Sequence, residues 1–205
     1  MSKDWTGNSK SIYSMLGATS HSENEREQHD YYATDPLALE ILLHYIELPP
    51  IVWEPACGEG HLAEVILNRT DSKVICSDKY ERGYELDFQK DFLEIKQAPI
   101  GCTCILTNPP YKYATEFVLK SLELLPSGGD VYMFLRTQFL EGQGRYDRIF
   151  HQFPPVKVFQ FVRRMRVAKN GEFDTTGLNA VSYAWFWWKK DVYPKTVGTK
   201  IRWIM

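Results

Sequence analysis

Polar and apolar positions fall in blocks along this chain, and the period of the blocks changes several times. The first thirty residues are rich in Ser, Asn and Glu and end in SHSENEREQHD, which reads as a polar arm rather than core. After YYATDP the apolar positions Leu37, Leu39, Ile41, Leu42, Leu43, Tyr45 and Ile46 suit a helix. Asp35 is its expected N-cap, Pro36 its first residue, and LPP ends it. IVWEP is then a short β-branched and aromatic strand, ACGEG a turn, HLAEVILNR a helix and KVICSD a second strand. A third short strand is expected near YELDF, followed by a helical turn or short helix over FLEIKQA. CTCIL reads as a fourth strand, YATEFVLKSLELL as an amphipathic helix closed by PSGG, DVYMFLR as a fifth strand and GRYDRIFHQF as another helix.

Strands that alternate with helices favour a parallel sheet covered by helices on both faces. The last third breaks this rhythm. VKVFQFV and NAVSYAWFWWK have no helical pattern between them, so they pair most simply as an antiparallel hairpin across a long loop. TKIRWIM suits either a final edge strand or a docked tail. The expectation is an α/β fold with a mostly parallel sheet, formed by residues 31–205 as a single domain behind the arm of residues 1–30. A chain of 205 residues, 44% hydrophobic, is long enough for one such core and short for two. No apolar run approaches the roughly 18 residues of a membrane-spanning helix. The start MSKDWTGNSKS has no apolar signal core, so no membrane partner and a cytoplasmic location are expected.

The net charge of -2 gives no global attraction to nucleic acid, but the local pattern differs. KVFQFVRRMRVAK carries Lys157, Arg163, Arg164, Arg166 and Lys169 without an acid, and Arg136, Arg145 and Arg148 lie upstream. Such a run suits phosphate contacts, and it equally suits a solvated face. The four cysteines, Cys57, Cys76, Cys102 and Cys104, lie in or beside apolar segments and lack the spacing of a metal or disulfide framework. No metal is expected.

The chemistry gathers at strand ends. Gly58 and Gly60 sit between the first strand and its helix, where glycine lets backbone approach a ligand. The full three-glycine dinucleotide fingerprint is missing, because His61, Leu62 and Ala63 follow. Asp78 ends the second strand, twenty residues past Gly58, where a carboxylate can accept hydrogen bonds from a ribose diol. Tyr80 lies close enough to cover an adenine face. Together they point to a nucleoside-containing cofactor. The fourth strand runs into TNPPY, in which the Asn108 carboxamide oxygen and a proline-exposed carbonyl can both accept from one exocyclic amine. Two acceptors would hold that nitrogen with its lone pair toward an electrophile, and Tyr111 can stack on a planar ring.

In this order the motifs resemble those of S-adenosylmethionine-dependent amino methyltransferases, in particular the DNA adenine-N6 group, over residues 31 to about 190. The resemblance implies a Rossmann-like class I fold with a seven-stranded sheet and S-adenosyl-L-methionine as cofactor. YYATDPLALEILL looks like the segment at the methionine end, which implies roles for Tyr32, Ala33 and Thr34. EPACGEGHL is similar to the glycine-loop motif and implies Glu54, Pro55, Ala56, Gly58 and Gly60 as cofactor neighbours. Asp78 matches the ribose-binding acid, and KDFLE implies Asp91 and Phe92 beside the cofactor base. TNPPY matches the catalytic motif, with Asn108, Pro109, Pro110 and Tyr111. GGDVYMFLRTQFLEG and NAVSYAWFWW resemble small phage- and prophage-type members.

The implied reaction moves a methyl group from a sulfonium to the N6 amine of adenine in DNA. It requires in-line positioning and two acceptors rather than a strong base, so none of His21, His29, His44, His61 and His151 is assigned to it. A base in a duplex would have to be flipped out, with Arg163, Arg164, Arg166 and Lys169 on phosphates. No separate target-recognition domain is visible, which suggests a short recognition site or a single-stranded preference. NPPY also serves methylation of an RNA base or a protein glutamine amide, and an inactive binding module would keep the same pocket. A nicotinamide-dependent reductase is disfavoured by the missing third glycine.

Overall fold

Strands buried on both faces must be apolar at nearly every position, and here such strands lie at the centre of the sheet. The computed structural model describes residues 32–169, 181–193 and 198–205. The expected polar arm of residues 1–30 lies outside the described residues. Eight strands form one sheet in the order β10-β7-β9-β6-β5-β2-β3-β4. These are β2 (Ile51–Glu54), β3 (Lys73–Asp78), β4 (Phe88–Gln89), β5 (Cys104–Thr107), β6 (Asp130–Arg136), β7 (Lys157–Phe161), β9 (Tyr183–Lys189) and β10 (Lys200–Ile204). A separate two-stranded ribbon pairs β1 (Tyr32–Thr34) with β8 (Val167–Lys169).

The pairing is parallel from β4 through β6, and β9 runs antiparallel to both β6 and β7. The expected late hairpin is therefore β7 with β9. The seven-stranded expectation is one strand short, because Lys200–Ile204 pairs in parallel with β7 as an eighth, edge strand. The ribbon was not anticipated either. Three-residue strands have no readable period, and β8 lies inside the segment taken as the hairpin's loop.

Alternation along the strands builds two cores. Val52, Cys104, Leu106, Tyr132, Phe134 and Trp185 face one side of the sheet, with α1 (Pro36–Leu43) and α2 (His61–Arg69) contributing Leu39, Leu42, Leu62 and Ile66. Trp53, Ile105, Val131, Met133, Phe186 and Trp188 face the other side, where α3 (Ala114–Leu124) contributes Phe117, Val118 and Leu122. The Asp35 carboxylate accepts the Leu37 N–H at 3.0 Å, with Pro36 in the first turn, so the expected start of α1 is the observed one. The expected helical turn near FLEIKQA is observed, and the expected helix over GRYDRIFHQF is broken into short pieces. Phe92–Glu94 is a 3-10 turn, Tyr111–Tyr113 is a 3-10 turn ahead of α3, and Gln143–Arg145 runs into π-helical Tyr146–Phe150.

Buried tryptophans carry a polar N–H that must be satisfied. Trp185 donates to the Ala38 carbonyl at 2.9 Å, which ties β9 to α1 across 147 residues of sequence. Trp53 donates to Ser77 Oγ at 2.9 Å, tying β2 to β3. Trp185→Ala removes a fully buried ring and leaves the Ala38 carbonyl without this donor. We expect a loss of about 3–5 kcal/mol in urea unfolding, with Trp185→Phe losing clearly less.

Candidate active site

In an open α/β sheet, ligands bind outside the carboxyl ends of the strands where the strand order reverses. That point here is β2, flanked by β3 on one side and β5 on the other. A cavity of about 790 Å³ lies there. This falls within the range of roughly 300–1,000 Å³ typical of small-molecule sites.

The turn after β2 is built by backbone geometry. Gly58 and Gly60 have φ of 59° and 80°, in the left-handed region that favours glycine. A Cβ on Gly60 would also lie 2.2 Å from the Tyr84 ring. The Asp78 carboxylate holds this turn: Oδ2 accepts the Gly58 N–H and Oδ1 accepts the Tyr80 N–H, each at 2.9 Å. The Cys57 N–H adds a bond to the Ser77 carbonyl at 3.1 Å. Gly58 and Gly60 do not themselves line the cavity, whereas Glu54, Pro55, Ala56, Cys57 and Asp78 do. The two glycines shape the wall rather than present it.

At one end of the cavity stand Tyr80, Asp91 and Phe92. Lys79 Nζ lies 5.6 Å and the Arg82 guanidinium 5.9 Å from the Tyr80 ring centre. Asp91 accepts from Leu93 N–H at 3.0 Å and pairs with Lys79 at 2.9 Å. Desolvation pushes the Asp91 carboxyl upward, but the Lys79 and Leu93 hydrogen bonds together outweigh it and hold the group below its usual value. Phe92 is buried against Trp53 and Phe117, at ring-centre distances of 5.2 and 4.7 Å.

At the other end β1 meets the strand exit of β5. The Asn108 side-chain N–H donates to the Tyr32 carbonyl at 2.8 Å. The same amide's Oδ1 is buried and has no hydrogen-bond partner among the described residues. The Pro110 carbonyl accepts the Tyr113 N–H at 2.8 Å. Tyr111 stacks near Tyr32, with ring centres 6.0 Å apart and planes 25° apart, and tilts against Tyr183 at 5.9 Å. Burial pushes the Tyr111 phenol well above its usual pKa, so it stays neutral. The Arg136 guanidinium sits over the same ring, 4.8 Å from its centre.

The structure thus gathers Tyr32, Ala33, Thr34, Glu54, Pro55, Ala56, Asp78, Tyr80, Asp91, Phe92 and the four NPPY residues around one cavity. It does not bring the basic run there. Arg163, Arg164 and Arg166 are exposed between β7 and β8, and Lys169 is the register partner of Tyr32 in the ribbon. Several residues in or against the cavity were not assigned from sequence, among them Lys79, Arg82, Arg136 and His61 in its lining and Tyr183 against Tyr111. Arg136 closes β6 and was read only as part of a general basic stretch; His61, at the start of α2, also lines the cavity; Tyr183 opens β9 opposite Arg136. Only the pairing of β6 with β9, a long-range register, could have signalled Tyr183.

All four cysteines are free and buried, yet ligand atoms of Glu54, Cys57 and Cys76 lie within 4.8 Å of one another. The hydrogen bond with Cys76, then burial and the nearby Glu54 charge, push the Cys57 thiol far up, so the sulfur keeps its proton. Burial, and after it Cys76 and Asp78, likewise raise Glu54 well above 4.5.

Buried polar atoms in folded proteins almost always have partners. Thr34 Oγ1, Glu54 Oε2, Asn108 Oδ1 and Arg136 Nε are buried without one among the described residues, and all four residues line the cavity. Such a concentration of unmet hydrogen-bonding capacity marks a polar-ligand site.

No protein-family model and no curated sequence matches the chain. Its fold is the Rossmann-like α/β fold of class I methyltransferases, as three solved structures illustrate. A Listeria monocytogenes protein assigned as a class I S-adenosylmethionine-dependent methyltransferase matches with TM-score 0.57 and 13% identity, covering 93% of this chain and 71% of its own. A Pyrococcus horikoshii protein assigned as an RNA methyltransferase gives 0.57 and 17%, covering 90% and 100%. The modification subunit assigned to a type I restriction enzyme of Vibrio vulnificus gives 0.55 and 13%, covering 95% of this chain and 51% of that subunit. At these identities the likeness is one of fold. Among the described residues no helix is long and apolar enough to cross a membrane.

Glu54 yields a pH test. A raised folded-state pKa means the protonated acid is favoured by folding, so its contribution is fully present below about 4.5 and is lost as pH rises toward the folded value. Glu54→Gln removes that loss. The variant should unfold at the same urea concentration as the parent near pH 4 and at a higher one near pH 8; a gap that does not widen with pH would contradict the raised pKa.

Proposed function

We propose that this protein transfers a methyl group from S-adenosylmethionine to the exocyclic N6 amine of adenine in DNA. The observation that carries the reading is Asn108. Its amide is pinned through Nδ2 to the Tyr32 carbonyl, which leaves a buried, partnerless oxygen at the cavity. An acceptor held in this way suits an N–H donor that arrives with the substrate.

The residues present fit the cofactor. Each carboxylate oxygen of Asp78 holds one backbone N–H and keeps a further lone pair, which suits a ribose diol. Tyr80, Asp91 and Phe92 would hold the adenine end. Tyr32, Ala33, Thr34, Glu54, Pro55 and Ala56 would hold the methionine end, with Gly58 and Gly60 setting the turn. When bound, this cofactor supplies an electrophilic methyl group on a sulfonium. Asn108 Oδ1 would accept one amine proton. A backbone carbonyl of the Pro109–Pro110 pair would supply the second acceptor; that of Pro110 takes the Tyr113 N–H and keeps a further lone pair. Two acceptors turn the nitrogen lone pair toward the methyl group, and the proton is released late, so no strong base is needed.

Arg163, Arg164, Arg166 and Lys169 would contact phosphates outside the cavity. RNA is the second acceptor class, supported by the likeness of fold to the protein assigned as an RNA methyltransferase.

Labelled-methyl transfer to DNA, RNA and protein in parallel, followed by nucleoside analysis, tests the reading. Label in N6-methyladenine of DNA is the expected result; label in a protein amide, or none, would refute it. Asn108→Ala should raise the barrier by roughly 3 kcal/mol, about a hundredfold in rate, and leave S-adenosylhomocysteine binding intact.

A further inference from the structure

Arg136 and Lys112 are the cations that line the acceptor end of the cavity, and Arg136 pairs with no carboxylate among the described residues. Its Nε is buried without a hydrogen-bond partner, and its guanidinium lies 4.8 Å from the centre of the Tyr111 ring. A half-buried cation with an unmet N–H is costly unless an acceptor meets it in some functional state. At the opposite end of the cavity the cation beside Asp91 is matched, since Lys79 pairs with that carboxylate. The unmet guanidinium N–H lies beside Tyr111.

Its position raises a steric question as well. Tyr32 lies stacked beside Tyr111, and its backbone is fixed by pairing with Lys169 and by the bond from Asn108. Their 6.0 Å separation is too small to admit a third ring, since parallel rings need about 3.5–4 Å on each side. A planar acceptor that stacks on Tyr111 must displace the guanidinium, which hangs on a long side chain from the end of β6. Arg136 thus occupies the space of the acceptor ring, and it needs an anion when it leaves.

We propose that Arg136 is a specificity residue for phosphate-bearing acceptors: it covers Tyr111 until a base stacks in its place, and then moves onto a phosphate of the target nucleotide. This rests on the methyl-transfer reading and sharpens it. A glutamine side chain brings no anion, whereas a nucleotide carries one next to its base. Cation–π contact with Tyr111 is exchanged for a charge-assisted bond to phosphate.

The test compares adenosine with the dinucleotide ApA and a single-stranded oligoadenylate, by equilibrium binding to the full chain saturated with S-adenosylhomocysteine. In Arg136→Ala, adenosine should bind as well as or better than in the parent, because the ring face is uncovered. ApA should bind about tenfold more weakly, and the salt dependence of oligoadenylate binding should flatten by about 0.7 in log–log slope, the value for one lost phosphate contact on a single strand. Arg136→Lys should recover most of the slope. Unchanged S-adenosylhomocysteine affinity serves as the folding control. Equal losses for adenosine and ApA, or an unchanged slope, would overturn the proposal. So would a glutamine peptide that competes with ApA and is itself weakened by Arg136→Ala. Because these are binding measurements, a chain that binds as described yet methylates nothing would refute the methyl-transfer reading alone.

Discussion

One hydrogen bond organises the acceptor end of this molecule: the Asn108 amide donating to the Tyr32 carbonyl across 76 residues. A carboxamide at the end of a strand can rotate, and an Asn that rotates is an undirected acceptor. The bond removes that freedom and selects the face on which Oδ1 emerges. It works only if Tyr32 is fixed, and Tyr32 lies in a three-residue strand that could not persist alone. Pairing with β8 and capping of α1 by Asp35 supply the support, together with the Asp35 N–H donating to the Arg166 carbonyl at 3.3 Å. The exposed arginines before β8 are therefore joined by backbone to the strand that orients Asn108.

The cofactor end depends on a parallel arrangement made by Asp78. One carboxylate binds the turn after β2 and the turn after β3, so two strand ends are registered to each other by a single side chain. The glycines make this possible: Gly58 and Gly60 adopt left-handed backbone, and the missing Cβ of Gly60 keeps the turn clear of Tyr84.

What the sequence made legible follows the range of the interactions. Asn108, Asp78, Gly58, Gly60 and Asp91 carry their meaning in local context, as a polar group or glycine just past an apolar strand, and each is found at the cavity or shaping its wall. The α/β order was equally legible, because strand and helix periods are local. Arg136 and Tyr183 were not. Each closes or opens a strand that is otherwise continuous core, and their approach to Tyr111 arises from the antiparallel register of β6 and β9, in which they are partners. The β1 and β8 ribbon escaped for the same reason, as did the meeting of Glu54 with Cys57 and Cys76. KIRWI at the edge remained ambiguous because Ile201 and Trp203 are exposed while Ile204 is buried, so its apolar residues do not mark a single face.

The unmet polar atoms also say where stability has been given up. Each buried atom without a partner costs on the order of 1–3 kcal/mol. Thr34, Glu54, Asn108 and Arg136 all carry such an atom, and all four line the cavity. In the sheet interior, by contrast, Trp53, Trp185 and Trp188 are fully buried and each of their N–H groups is bonded. A ligand that met these atoms would gain both its own contacts and the relief of the free site. Stability and recognition are thereby divided between the sheet interior and its carboxyl edge, where the unmet hydrogen-bonding groups are those most directly open to a ligand.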